Sequence, residues 1–285
     1  MTHSGLLYVP TVRCSLEPSF ERRQVPIVGE QHRERDIAFH AATAADYDAT
    51  ITRDYGIYHR GWVHPILDRL AREFPGGAVL DVGCGTGVLT LALAERGFEV
   101  VAVDHSPEML AIARRKAAEA GLSPRIRFEE GDVTRLRFAD DSFAGATAQG
   151  VLHHLADPAA SLDEIKRVVR PGGFVFVSEP CLEQTPPSKA TEAALRIARP
   201  VKRRVRPSKR DAVPETVEKP LSGPDLLADM KRLGLAHEAE YAVHIPHLYR
   251  VLPDTVRLPL IKALSRPWRY KRGDLVFVSA RTHAD

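Results

Sequence analysis

The chain has 285 residues, of which 44% are hydrophobic and 27% charged. That is ordinary globular composition, with room for one large domain or a core domain and an added lobe. The formal net charge of +3 argues by itself for neither a nucleic acid nor a membrane partner. Cys14, Cys84 and Cys181 are odd in number and far apart, with no CxxC spacing. They therefore speak against a disulfide framework or a metal site and for a reducing, cytoplasmic setting.

Residues 1 to about 35 carry Pro10, Pro18 and Pro26 and a charged end, which reads as an arm or lid. The start, MTHSGLLYVPTVRC, lacks a basic segment followed by a long apolar core, so no signal peptide is expected. No apolar run of about 18 residues occurs, so no membrane-spanning helix is expected. From Ile37 to Phe74 the pattern turns helical, until Pro75, Gly76 and Gly77 break it. GAVLDVG then reads as a buried strand, GVLTLALAER as a helix stopped at Gly97, and FEVVAVD as a second strand. Ser106-Pro107-Glu108 opens a helix with a hydroxyl cap, a first-turn proline and an acid suited to the helix dipole. IRFEEGD and FAGATAQGVL read as the third and fourth strands. SLDEIKRVVR is a helix ended by Pro171-Gly172-Gly173, and FVFVSEP is the fifth strand. After Pro180 the rhythm breaks into a basic, proline-rich stretch. A helix resumes at Ser222-Gly223-Pro224, and AEYAVHI and DLVFVSAR read as two last strands around an apolar and basic helical insertion.

Strand and helix alternating in this way predict an α/β fold, with a seven-stranded, mostly parallel, Rossmann-like sheet covered by helices on both faces. Four parts are expected: an arm and helical cover over 1–74, a cofactor-binding core over 75–180, a basic insertion or lid over 181–221, and the C-terminal part of the sheet, with its helical insertion, over 222–285.

AVLDVGCGTGVL runs a strand into three alternating glycines and then a helix. Glycine admits positive φ and removes Cβ, so a ligand can lie against the backbone, and the helix start adds free N–H groups. The dinucleotide pattern G-x-G-x-x-G is not met, because the third glycine, Gly87, comes one place early and Val88 follows. A phosphate-binding P-loop is excluded too, since no Gly-Lys-Ser/Thr follows.

The D-x-G-x-G-x-G segment, Asp81 to Gly87, resembles the first motif of class I S-adenosylmethionine-dependent methyltransferases, and further motifs follow in order. Asp104 ends VVAVD, ahead of His105, Ser106, Pro107 and Met109. EGDVTRL supplies Asp132 and Val133, the fourth strand runs into QGVLHHLADP, and the next helix ends VVRPGG. The last two resemble the subgroup that includes ubiquinone- and menaquinone-pathway enzymes and many small-molecule methyltransferases. The resemblance is strong over roughly Val79 to Glu179, and Tyr47 in ADYD matches an aromatic of that subgroup's helical cover. It implies S-adenosylmethionine as cofactor. Gly83, Cys84, Gly85 and Gly87 would form the loop under it, with Asp104 and its neighbours His105 and Met109 at the ribose. Asp132 and Val133 would lie at the adenine and Gln149 at the methionine part. Asp81 would either orient the loop or reach the cofactor's ammonium through water. A carboxylate suits a ribose diol because it accepts two hydrogen bonds.

Methyl transfer from a sulfonium is an in-line displacement, so alignment and exclusion of water are the main tasks. A base is needed only where the nucleophile starts protonated. In similar enzymes that methylate sugar or phenol hydroxyls, a histidine of an LHH pair and an acid ending strand five act as base and partner. Here these positions are held by His153, His154 and Glu179. A histidine suits hydroxyl deprotonation near neutral pH. His154 stands ahead of His153 as the base, and both could equally pack or cap the next helix. Pro180-Cys181 resembles the Pro-Cys of cytosine-C5 RNA methyltransferases, but it follows strand five, not strand four, and reads as incidental.

Arg196 to Arg210, RIARPVKRRVRPSKR, contains no acid, and SRPWRYKRG forms a second basic patch. The readings are a solvated insertion, a lid that meets an anionic substrate, or contact with anionic lipid heads. RNA is disfavoured, because no stacking aromatics interleave the first patch. The expected activity is methylation of a small molecule at a hydroxyl in secondary metabolism, by a monomer or homodimer. The alternatives are a nitrogen or carbon centre of a lipid or quinone precursor at a membrane face, and a non-catalytic cofactor-binding partner protein.

Overall fold

In a computed structural model, residues 56–181, 221–242, 253–264 and 275–282 are described, with Glu34, Arg35, Ala38 and Asp48. Tyr47, Cys14 and both basic patches lie outside the described residues. A π-helical turn over His59–Val63 leads into α1, His64–Glu73. The next elements are β1 (Ala78–Val82), α2 (Val88–Glu95), β2 (Glu99–Asp104), α3 (Pro107–Glu119), β3 (Ile126–Glu130) and β4 (Phe143–Gln149). Then come α4 (Pro158–Val168), β5 (Val169–Pro180), α5 (Gly223–Arg232), β6 (Ala236–Ala242), α6 (Asp254–Leu264) and β7 (Leu275–Arg281).

The strands form one seven-stranded sheet in the order β3-β2-β1-β4-β5-β7-β6. All neighbours are parallel as far as β5, and β7 runs antiparallel to both β5 and β6. The expected Rossmann-like architecture is therefore present. The order reverses between β1 and β4, and in open α/β sheets ligands bind at the carboxyl edge beside such a switch point.

One core packs π-turn, α1 and α2 side chains on one face of the sheet, with Trp62 stacked on Phe277 at 5.9 Å between ring centroids. The other core packs α4 and α5 on the opposite face through Leu162, Ile165, Leu226 and Met230. Helix starts follow the local chemistry: Ser106, Asp157 and Ser222 each accept from a backbone N–H of the first turn, with proline beside them.

Two boundaries move. The helix expected to reach Arg170 stops at Val168, because Val169 already pairs with Phe143, and the register then shifts so that Gly145 meets Phe174. VRPGG thus enters β5 through an irregularity, which a local proline-glycine signal reads as a break. The sixth strand begins at Ala236, not Ala239, since its register is set by β7, with Ala242 opposite Leu275. Among the described residues, no helix is long and apolar enough to cross a membrane.

Candidate active site

The glycine loop is tied to the end of β2. Gly83 and Cys84 donate backbone N–H groups to Val103 O at 2.8 and 3.0 Å, and Gly85 donates to Asp104 Oδ2 at 2.7 Å. Asp104 Oδ1 accepts from Ser106 N at 2.9 Å. Both carboxylate oxygens therefore hold backbone, and each keeps a second acceptor direction.

Gly83 and Gly85 both have positive φ, for different reasons. A Cβ at Gly83 would stand 2.2 Å from Val151 Cγ2, so the loop and the turn after β4 are in contact there. A Cβ at Gly85 would meet nothing within 4 Å among the described residues, so there its backbone borders open space beside Asp104. Gly87, also at positive φ, precedes α2.

Asp81 is buried under the loop. Its Oδ2 accepts from Thr90 Oγ1 at 2.5 Å and its Oδ1 from Thr147 Oγ1 at 2.8 Å. The carboxylate thus links β1, α2 and β4. Burial raises its pKa from 3.8 to about 6, partly offset by the two threonine hydroxyls. Burial likewise pushes the Cys84 thiol well up, with Asp104 and Asp81 adding to it. A thiol so held carries no thiolate near neutral pH.

His105 is half-buried after β2, and Met109 is buried beneath the Ser106 cap, which its N–H joins at 3.3 Å. Asp132 Oδ1 accepts from Thr134 N and Thr134 Oγ1, fixing the turn after β3 that carries the buried Val133. Asp48 accepts from Thr86 Oγ1 at 2.5 Å and pairs with Lys116 Nζ at 2.8 Å. A residue next to Tyr47 is therefore fastened to the glycine loop and to α3.

The carboxyl ends of β4 and β5 bring the candidate catalytic groups together. Glu179 has no exposed surface. Its Oε1 accepts from Val151 N at 3.0 Å and Leu152 N at 2.9 Å, and its Oε2 lies 2.8 Å from His153 Nδ1. The carboxylate reaches His153, the histidine placed second from sequence. The ring of His154 lies next to that of His153, with centroids 4.0 Å apart and planes tilted by 42°. The 3-10 turn Leu152–His154 explains this, since consecutive residues of a tight turn project in different directions. With Glu179 ionised, the carboxylate only accepts, so a neutral His153 then donates through Nδ1 and carries its lone pair on Nε2.

Gln149, at the end of β4, lies 3.1 Å from His59 Nε2 through its own Nε2. Motif reading missed His59, Asp48, Thr147 and Thr90, which bond to these residues. The first three act across 90, 38 and 66 positions, where no local signal marks them, and Thr90 across only 9.

Residues 80–177 match a family model described as a methyltransferase domain. Over 130 residues the chain is 44% identical to a demethylmenaquinone methyltransferase of Thermus thermophilus, covering 45% of this chain and 56% of that one. Over 119 residues it is 40% identical to a ubiquinone biosynthesis O-methyltransferase of Paracidovorax citrulli, covering 41% and 48%. The chain thus spans about half the length of these curated relatives. A crystal structure of an S-adenosylmethionine-dependent methyltransferase from Mesorhizobium loti superposes with a TM-score of 0.53 at 26% identity, covering 76% of this chain and 96% of that one. Residues 80–177 are a class I methyltransferase domain, whose cofactor is S-adenosylmethionine. The residues present fit that cofactor. Among the described residues Gly85 offers bare backbone beside open space, and Asp104 keeps acceptor directions for the two hydroxyls of a ribose.

Proposed function

We propose that this class I S-adenosylmethionine-dependent methyltransferase domain serves an enzyme that methylates a hydroxyl of a small molecule, with His153 as the base. The observation that carries the reading is the buried His153–Glu179 pair, on a turn packed against the glycine loop through Val151 and Gly83.

When bound, the cofactor supplies an activated methyl group on a sulfonium. The loop from Gly83 to Gly87 would support it along bare backbone, Asp104 would receive the ribose hydroxyls, and the turn at Asp132 and Val133 would border the adenine. Gln149 would border the methionine part. His153 Nε2 would accept the acceptor's hydroxyl proton, which makes the oxygen nucleophilic. Glu179 holds the ring in the tautomer that leaves Nε2 basic and stabilises the imidazolium that forms, the role a carboxylate plays behind a histidine base. Its hold on Val151 N and Leu152 N keeps the turn closed against the loop, so base and methyl donor share one rigid support.

Kinetics of two alanine variants test the assignment. His153→Ala lowers kcat by roughly 10²-fold or more, the usual worth of a general base, with cofactor affinity retained. His154→Ala keeps most of its turnover. The reverse order would move the base to His154, and full turnover in both would remove base catalysis from the mechanism.

The names of the relatives favour a second reading, a quinone precursor as acceptor, worked on at a membrane face. Sedimentation with vesicles of anionic lipid at moderate salt tests it, and a chain that stays in the supernatant counts against it.

A further inference from the structure

His59 belongs to no motif, yet it reaches the cofactor edge of the sheet. Its turn is firmly seated: Ile57, Tyr58, Trp62 and Val63 are buried, Trp62 stacks on Phe277, and a Cβ on Gly61 would meet Leu258 of α6 at 2.6 Å. The imidazole is therefore delivered by a backbone already fixed on the core. π-helical turns of this kind recur at functional sites.

Burial lowers the ring's pKa to about 4, with His64 and Arg60 adding like-charge repulsion. The ring is neutral near pH 7. It stands 3.1 Å from the amide of Gln149. A neutral ring nitrogen facing an amide N–H accepts from it, which places the ring proton on Nδ1; the amide assigned the other way round would reverse donor and acceptor and keep the bond. Either way, the bond fixes the whole amide plane. Once one end is held, the direction of the other end is set. Glutamine otherwise has a rotamer-rich side chain, which a ligand would have to order on binding.

We propose that His59 is a positioning residue: it holds the Gln149 amide in one orientation so that its remaining polar groups meet the amino-acid end of the cofactor. The inference rests on the reading of Gln149 as a border of the cofactor's methionine part. It assigns the cover ahead of the core a polar role at the donor end of the site. A role confined to packing would affect stability alone.

Calorimetric titration of His59→Ala, His59→Asn, Gln149→Ala and the double variant His59→Ala/Gln149→Ala tests this. The probes are S-adenosylhomocysteine and adenosine, which lacks the amino-acid end, and each variant's melting temperature is recorded. His59→Ala and Gln149→Ala should each raise the Kd for S-adenosylhomocysteine roughly three- to tenfold, the worth of one hydrogen bond. The double variant should be no worse than the weaker single, the mark of two residues acting through one contact. His59→Asn should recover part of the loss, and adenosine should bind all variants alike. If Gln149→Ala weakens binding and His59→Ala does not, positioning is overturned while the reading of Gln149 stands. If neither changes the Kd, that reading falls and the inference with it. Multiplying losses in the double variant, or equal losses for adenosine, also overturn it. Should His59→Ala fail to fold, His59→Asn against Gln149→Ala carries the same comparison.

Discussion

Glu179→Gln isolates the charge of one buried oxygen pair at constant shape. The carboxylate receives Val151 N and Leu152 N on Oε1 and His153 Nδ1 on Oε2. In the amide, the two backbone donors require an oxygen at the Oε1 position. The NH₂ end must then face His153 Nδ1, which becomes an acceptor. The ring proton moves to Nε2, and the base is lost with almost no change of geometry. A wrong histidine tautomer costs on the order of 10⁴ in kcat in the serine-protease triad, and general-base losses run from about 10² to 10⁴. Turnover of the acceptor at pH 7 should therefore fall by roughly 10²-fold or more. Stability should fall by about 1–3 kcal/mol, because charge-assisted hydrogen bonds to a buried group become neutral ones and the second amide N–H is buried as well. Affinity for S-adenosylhomocysteine should be retained. Steady-state kinetics, denaturant unfolding and calorimetry read the three quantities. A folded Glu179→Gln with turnover within about threefold of the parent chain would refute the tautomer argument, since a general base accounts for at least about 10²-fold.

Three further outcomes follow from the geometry of the glycine loop and of Asp81 beneath it. Gly85→Ala should keep the fold at a cost of about 1 kcal/mol for a side chain at positive φ while weakening S-adenosylhomocysteine binding, because its Cβ enters open space beside Asp104. Gly83→Ala should destabilise more, through its clash with Val151, and Val151→Ala should relieve part of that loss in thermal melts. Asp81 has a folded-state pKa of about 6, raised from 3.8. The native state therefore binds the proton more tightly than the unfolded chain, so the stability it lends is full below about pH 4 and is lost as pH rises to about 6. Asp81→Asn should remove that slope. Relative to the parent chain it should gain on the order of 2–3 kcal/mol between pH 4 and pH 7 in urea titrations. A pH-independent difference between the two would refute the raised pKa.

Local chemistry wrote much of this fold into the order of residues. The strand-loop-helix at Asp81–Gly87, the Ser106-Pro107 helix start and the alternation of buried strands depend on neighbours a few positions away, so they are legible without coordinates. So is the acidic residue ending β2, because a parallel strand delivers its last side chain to the carboxyl edge whatever surrounds it. Tertiary structure decided the rest. The start of β5 at Val169 and the three-residue shift of β6 come from pairing with strands distant in sequence. Asp81 found its hydroxyls on Thr90 and Thr147, the second of them 66 positions away. Which of two adjacent histidines meets Glu179 depends on how one 3-10 turn is rotated over the sheet, and composition and periodicity are silent on that. His59 meets Gln149 across 90 positions, because its turn packs on the sheet core near the carboxyl end of β4. The donor side of the reaction is thus carried by short-range motifs, and the proton-handling and positioning side by contacts that exist only once the sheet has closed its register.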